Sequence, residues 1–170
     1  MAKLFLILLA SAMLAVPSAA AAAPAHRAAV QARGVDDPRA FVAQRFAGYR
    51  RGTDPVPPEP VRAYSPRLAA LFATYNAWQR RHPDEVGSID FDWWINAQDW
   101  ELSDVAVTQA DAGRNSRIVT ASWRNSGAPD TTRFLFVRIG GRWYLDDAVH
   151  GSGHGEGGWT LSALLSHPAQ

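Results

Sequence analysis

The sequence predicts an α+β fold in which N-terminal helices pack on a curved, cone-like, four-stranded antiparallel sheet and a short helix closes the chain. Three observations lead there. Apolar residues recur at helical spacing up to about residue 82, they alternate with polar ones from about residue 102, and Gly140-Gly141 joins two alternating runs in a form that suits a tight hairpin. Helices first and strands later point to α+β rather than to alternating βα units.

The opening stretch, MAKLFLILLASAMLAVPSAAAAAPA, has one lysine, an apolar run from Leu4 to Val16, and a tail of small residues. This is the pattern of a secretory signal peptide, and the run is shorter than the ~20 residues a spanning helix needs. Residues 1–23 are therefore read as a cleaved signal, with the cut between Ala20 and Ala25. An unpatterned, alanine-rich stretch over 24–35 reads as a flexible tail. Residues 36–168 then form a single domain, long enough to bury roughly two thirds of its unfolded surface.

In "DDPRAFVAQRFAGYRRG", Asp37 is placed to cap a helix, Pro38 suits its first turn, and Gly52 marks a stop. Phe41, Val42, Phe46 and Tyr49 make one stripe. Four prolines between residues 55 and 60 exclude a helix or central strand there. Ser65 and Pro66 repeat the start signal, Leu68, Leu71, Phe72 and Tyr75 share a side, and the second helix ends near Pro83. "SIDFDWWINAQDW" is aromatic, acidic and aperiodic, open to reading as a short helix or a folded loop. Strands follow at Leu102–Gln109, Arg117–Arg124, Thr132–Ile139 and Arg142–Val149. Thr160 then precedes a last helix carrying Leu161, Leu164 and Leu165 and stopping by Pro168.

Composition removes several function classes. There is no cysteine, so neither a disulfide nor a lipidated cysteine can form, and no stable membrane anchor is expected once the signal is gone. Lys3 is the one lysine, which leaves 16 arginines against 16 acidic residues after cleavage. Such a balance does not favour nucleic acid or an anionic membrane. The chain contains no P-loop, dinucleotide fingerprint, nucleophile elbow or H-E-x-x-H. Localisation is read as periplasmic or secreted.

The order of segments, with the D-P-R-A-F-V helix, "YSPRLAALF", "FDWWINAQDW", "GGRWYLDDA" and "WTLSALL", resembles the uncharacterised exported bacterial proteins of the YbjP/YqhG type, over about residues 36–167. Those resemble the nuclear transport factor 2-like, or cystatin-like, superfamily of α+β cones. The more specific motifs are Gln98-Asp99-Trp100 and Gly141-x-Trp143-x-Leu145-Asp146-Asp147. Some members of that type are lipid-anchored, and a chain without cysteine departs from them. The resemblance implies a cone and an envelope location, and it implies no reaction. Superfamily members include isomerases, dehydratases and binding domains, some of them dimeric through the open sheet, so fold analogy does not choose among functions.

Four sets of residues could carry chemistry. Strict alternation along the last strand puts Trp143, Leu145, Asp147 and Val149 toward the core, and Arg142, Tyr144, Asp146 and His150 away from it. An aspartate beside Trp and Leu must be hydrogen-bonded or hold its proton more tightly. Asp147 is thus either a structural acceptor, bonded by backbone amides or tryptophans of residues 91–100, or a general acid or base of the isomerase kind, with Asp99 and His150 as the other catalytic candidates. A ligand pocket would draw on Asp99, Trp100, Trp93, Asp147 and Gln98, and Asp90 and Asp92 stand among the same rings. Asp99 is the expected buried anchor, while the tryptophans serve equally well as a core plug.

Last is "HGSGHGEGG", residues 150–158. His150, His154 and Glu156 are types that zinc accepts, yet five glycines make a helical H-x3-H face improbable. The stretch reads as a connector or a lid, with no metal and no cofactor. The leading function is a non-enzymatic module for an unknown small ligand or an envelope protein, with a homodimer through the sheet as an option. Behind it stand an immunity-type inhibitor of a cell-envelope enzyme and an isomerase- or dehydratase-like enzyme using a buried aspartate.

Overall fold

Helix α1 (Pro38–Ala47) begins where its capping chemistry puts it: Asp37 is extended and its carboxylate accepts from the Ala40 N–H at 3.1 Å. It ends at Gly48, well before Gly52, because the chain turns there beneath the proline-rich connector. A side chain at Gly48 would meet Pro57 Cγ at 2.8 Å. Helix α2 (Pro66–Arg81) starts at Ser65, whose Oγ accepts from the Leu68 N–H at 3.0 Å, and stops at His82 before Pro83. A computed structural model describes residues 33–49, 57–153 and 157–169. The predicted signal peptide and most of the tail, together with Gly52, His154 and Glu156, lie outside the described residues.

The fold is α+β, with five antiparallel strands in one open sheet rather than the four expected. In spatial and chain order these are β1 (Leu102–Gly113), β2 (Ser116–Asn125), β3 (Ala128–Ile139), β4 (Arg142–His150) and β5 (Trp159–Thr160). Gly140 and Gly141 turn β3 into β4 with φ of +57° and +84°, values that suit glycine at both corners. The fifth strand escaped notice because two residues carry no alternation to read. Helix α3 (Leu161–Ser166) follows it and buries Leu161 and Leu165.

Alternation along β4 breaks at a bulge. Leu135 stands opposite Asp147 and Phe136 opposite Leu145, so Asp146 is one residue too many. Beyond it the faces exchange. Ala148 and His150 pair with Phe134 and Thr132, and all four are buried in the core layer. The strict alternation that turned His150 outward and aligned Asp147 with Leu145 is thereby corrected.

The outer edge of β4 is closed by three segments distant in sequence. Val35 bridges to Trp143, Tyr64 to Leu145, and β5 to Val149 and His150. Residues 33–35, placed in the tail by composition, are therefore held in the fold: the Val35 N–H donates to Trp143 O of the sheet at 2.7 Å, and the Gly34 N–H to Arg62 O in the turn before α2 at 3.1 Å. Beneath the sheet, Phe46, Trp94 and Phe134 form the ring cluster at the centre of the core, with Trp94 and Phe134 stacked at 4.8 Å. The segment around residue 94 is thus inserted under the sheet. None of the described helices is long and apolar enough to cross a membrane.

Candidate functional site

An open cleft of about 780 Å3 lies where α1, the proline-rich connector and residues 89–100 meet. Its volume falls in the range of small-molecule sites. Phe91, Trp93 and Trp100 supply aromatic wall, and Glu59, Asp90 and Gln98 supply polar groups. The loop that builds the wall is tightened by three bonds, from the Asp92 N–H to Ala97 O at 2.9 Å and from the Ile95 and Ala97 N–H groups to Asp92 O at 3.2 Å and 3.3 Å. That turn drives Trp94 and Ile95 fully into the core and leaves Trp93 at the border. Trp94 thus plugs the core, while Trp93, also buried, borders the cleft.

Behind the wall sits Arg45, an arginine on the apolar stripe of α1 with 6% of its side chain exposed. Burying a guanidinium requires partners. Its Nη1 donates to Pro57 O at 2.7 Å and Pro58 O at 2.6 Å, and its charge lies 4.9 Å from the Trp94 ring centroid and 5.4 Å from that of Tyr49. Glu59 stands 3.8 Å away. The partners are not complete, since Arg45 Nε and the Trp100 indole nitrogen are buried without a hydrogen bond.

Asp92 is the half-buried acidic anchor, accepting from Tyr49 Oη at 2.7 Å and from the Trp94 N–H at 2.9 Å. Tyr49 holds its proton far more tightly than a free tyrosine, first through burial and then through the Asp92 carboxylate. Glu59 is pushed up to about 7, mainly because the protein crowds it out of water, with Asp92 adding and Arg45 opposing. Its side chain still shows 38% of its surface to the cleft, so solvent moderates that environment.

Of the predicted ligand residues, Trp93, Trp100 and Gln98 line this cleft. Asp99 does not: it lies on the surface after the turn, and Asp92 holds the anchoring place expected of it. Arg45 and Glu59 went unnoticed in the sequence. Arg45 could have been found, because it falls three residues after Val42 and four before Tyr49, on the stripe that must be buried.

Asp147 lies apart from the cleft. Its Oδ1 accepts from the Ala148 N–H at 2.9 Å and the Ser162 N–H at 3.0 Å, and its Oδ2 from Ser162 Oγ at 2.6 Å. The carboxylate thus caps α3 from a neighbouring strand, a place Thr160 leaves open because its hydroxyl donates to Gly153 O instead. The amides come from Ala148 and Ser162 rather than from residues 91–100. Asp146 meets the start of α2 through side chains alone, accepting from Ser65 Oγ at 2.5 Å and from Arg67 Nε at 3.1 Å.

His150, where the glycine-rich stretch begins, is 6% exposed and stacks on Trp159 with centroids 5.4 Å apart. The Trp159 indole can only donate, and it reaches Asn96 Oδ1 at 2.8 Å. The Asn96 amide group therefore faces His150 Nε2, at 3.1 Å, and that nitrogen must accept. The proton is then on Nδ1, 3.4 Å from Thr132 Oγ1. Burial lowers the pKa of His150 below the usual histidine value, against the pull of Asp130 at 3.4 Å. Both ring nitrogens are engaged inside the protein. Among the described residues, no group of three His, Asp or Glu side chains comes together to hold a metal. Comparison with family models, with curated proteins and with solved structures gave no match to this chain.

Proposed function

We propose that this protein is an exported, non-enzymatic binding module that receives a small ligand in the cleft between α1, the proline-rich connector and residues 89–100. The observation that carries the reading is the combination in one 780 Å3 cleft of three aromatic side chains with polar groups on the same walls. Rings give contact area and polar groups give orientation. A cone-shaped member of the nuclear transport factor 2-like superfamily in the bacterial envelope is part of the proposal. Its support is the order of helices and strands and the apolar N-terminal stretch.

Native mass spectrometry of the protein purified from a bacterial periplasm tests it. An organic adduct lost in Trp93→Ala and Trp100→Ala variants is the expected result. Bare protein in that spectrum, with no adduct after incubation with a periplasmic small-molecule extract, would end the pocket reading.

A second reading, association of two copies through the sheet, is favoured by the face turned away from the ring cluster. There Ile118, Thr120, Leu135 and Val137 stay only half-buried.

A further inference from the structure

We propose that the ligand of the cleft is an organic cation, an ammonium or guanidinium group carried on a flat apolar body, seated against Trp93 and Trp100 and met by Glu59 and Asp90. The inference rests on the pocket reading above and names the chemistry of its occupant.

The chemistry of an occupant depends on which charges it can reach. Among the described residues that line the cleft Arg45 is the one cation, but it is sealed into the wall with 6% of its side chain exposed, and, its Nε apart, two carbonyls and two ring faces hold its guanidinium. The acids are not sealed. Glu59 keeps 38% of its side-chain surface open, Asp90 is exposed and Asp92 half-buried. An entering molecule therefore meets carboxylates and aromatic side chains, the half-buried Phe91 and Trp100 more than the 4% exposed Trp93, and the counter-charge lies behind them. Aromatic faces attract cations within about 6 Å of the ring centroid, more strongly where water is displaced. An anion would face several carboxylates, and a neutral polyol would leave their charge unused. Glu59 is faced by Arg45 from α1 and by Asp92 and Trp94 from the loop wall. A cation bound there favours its ionised form, so binding strengthens as pH rises and releases a proton.

The experiment compares phenethylamine, 2-phenylethanol and phenylacetate, three probes of similar size that differ in charge. Binding to the intact protein is followed through the indole N–H signals of Trp93 and Trp100 in 1H–15N spectra. The amine is expected to bind at least tenfold tighter than the alcohol, with phenylacetate weakest. Its affinity should rise several-fold between pH 5.5 and pH 8. Asp90→Asn should reduce the preference for the amine, Glu59→Gln should also remove the pH dependence, and Asp99→Asn, off the cleft, should change neither. Equal affinity for the three probes, or a preference for phenylacetate, overturns the cation inference and leaves the pocket reading standing. Absence of a saturable shift with every probe also overturns it, and the adduct experiment then decides the pocket reading separately.

Discussion

A buried charge is tolerated only with its partners, and at the scale of single residues Arg45, Glu59 and Asp92 show how far that condition reaches. Glu59 holds its proton up to about pH 7, whereas the unfolded chain releases it near 4.5, so the folded state binds the extra proton between those values. Stability from this group is greatest below pH 4.5 and declines as pH rises to 7. His150 acts in the opposite sense: burial favours its neutral ring, so its contribution is complete above pH 6.5 and is lost as pH falls below that value. In Glu59→Gln, denaturant midpoints measured from pH 4.5 to pH 8 should lose the decline and keep the fall on the acid side. A variant curve parallel to wild type would show that Glu59 titrates normally. Chemistry at this scale was partly legible in the sequence. The ring-and-carboxylate stretch 90–100 announced a polar-aromatic site, but which aspartate turned inward depended on the turn closed between Asp92 and Ala97, which no periodicity marks. Glu59 was illegible for a different reason, since an acid among prolines has no face until the connector has folded across α1.

The bulge at Asp146 is the element that places the helices. The extra residue takes Asp146 out of the ladder toward the start of α2, while Asp147, still opposite Leu135, reaches the start of α3. Anionic acceptors at helix N-termini satisfy amides that have no partner within the helix. Asp147→Ala should therefore destabilise the protein by about 2 kcal/mol, the sum of a lost cap and a stranded amide. Asp147→Asn should cost less, because an amide oxygen can still accept from the Ser162 N–H. Urea unfolding of both variants checks the order; equal costs would mean that the charge, not the acceptor, matters. Capping signals made the helix starts legible, since Asp37 and Ser65 act within their own helices. For α3 the sequence offered Thr160, and the cap came instead from a residue 15 positions earlier, across a strand. Local reading fails where the partner is tertiary, and the same bulge is why alternation put His150 on the wrong face.

For the whole molecule, the proposed association through the half-buried outer face of the sheet predicts a dimer at micromolar concentration. Val137→Asp should return it to monomer with its thermal transition kept, as light scattering after size exclusion would report. Wild type running as a monomer would remove the sheet from the list of interfaces. The closure of β4 by Val35, Tyr64 and β5 bears on how the chain reaches this form. Val35 must wait for Trp143, 108 positions later by their residue numbers, before it has anything to pair with. The first described residues therefore cannot take their place in the sheet until β4 has been synthesised. The seam that completes the sheet is thus made of contacts distant in sequence, and it closes only after β4 exists to receive them.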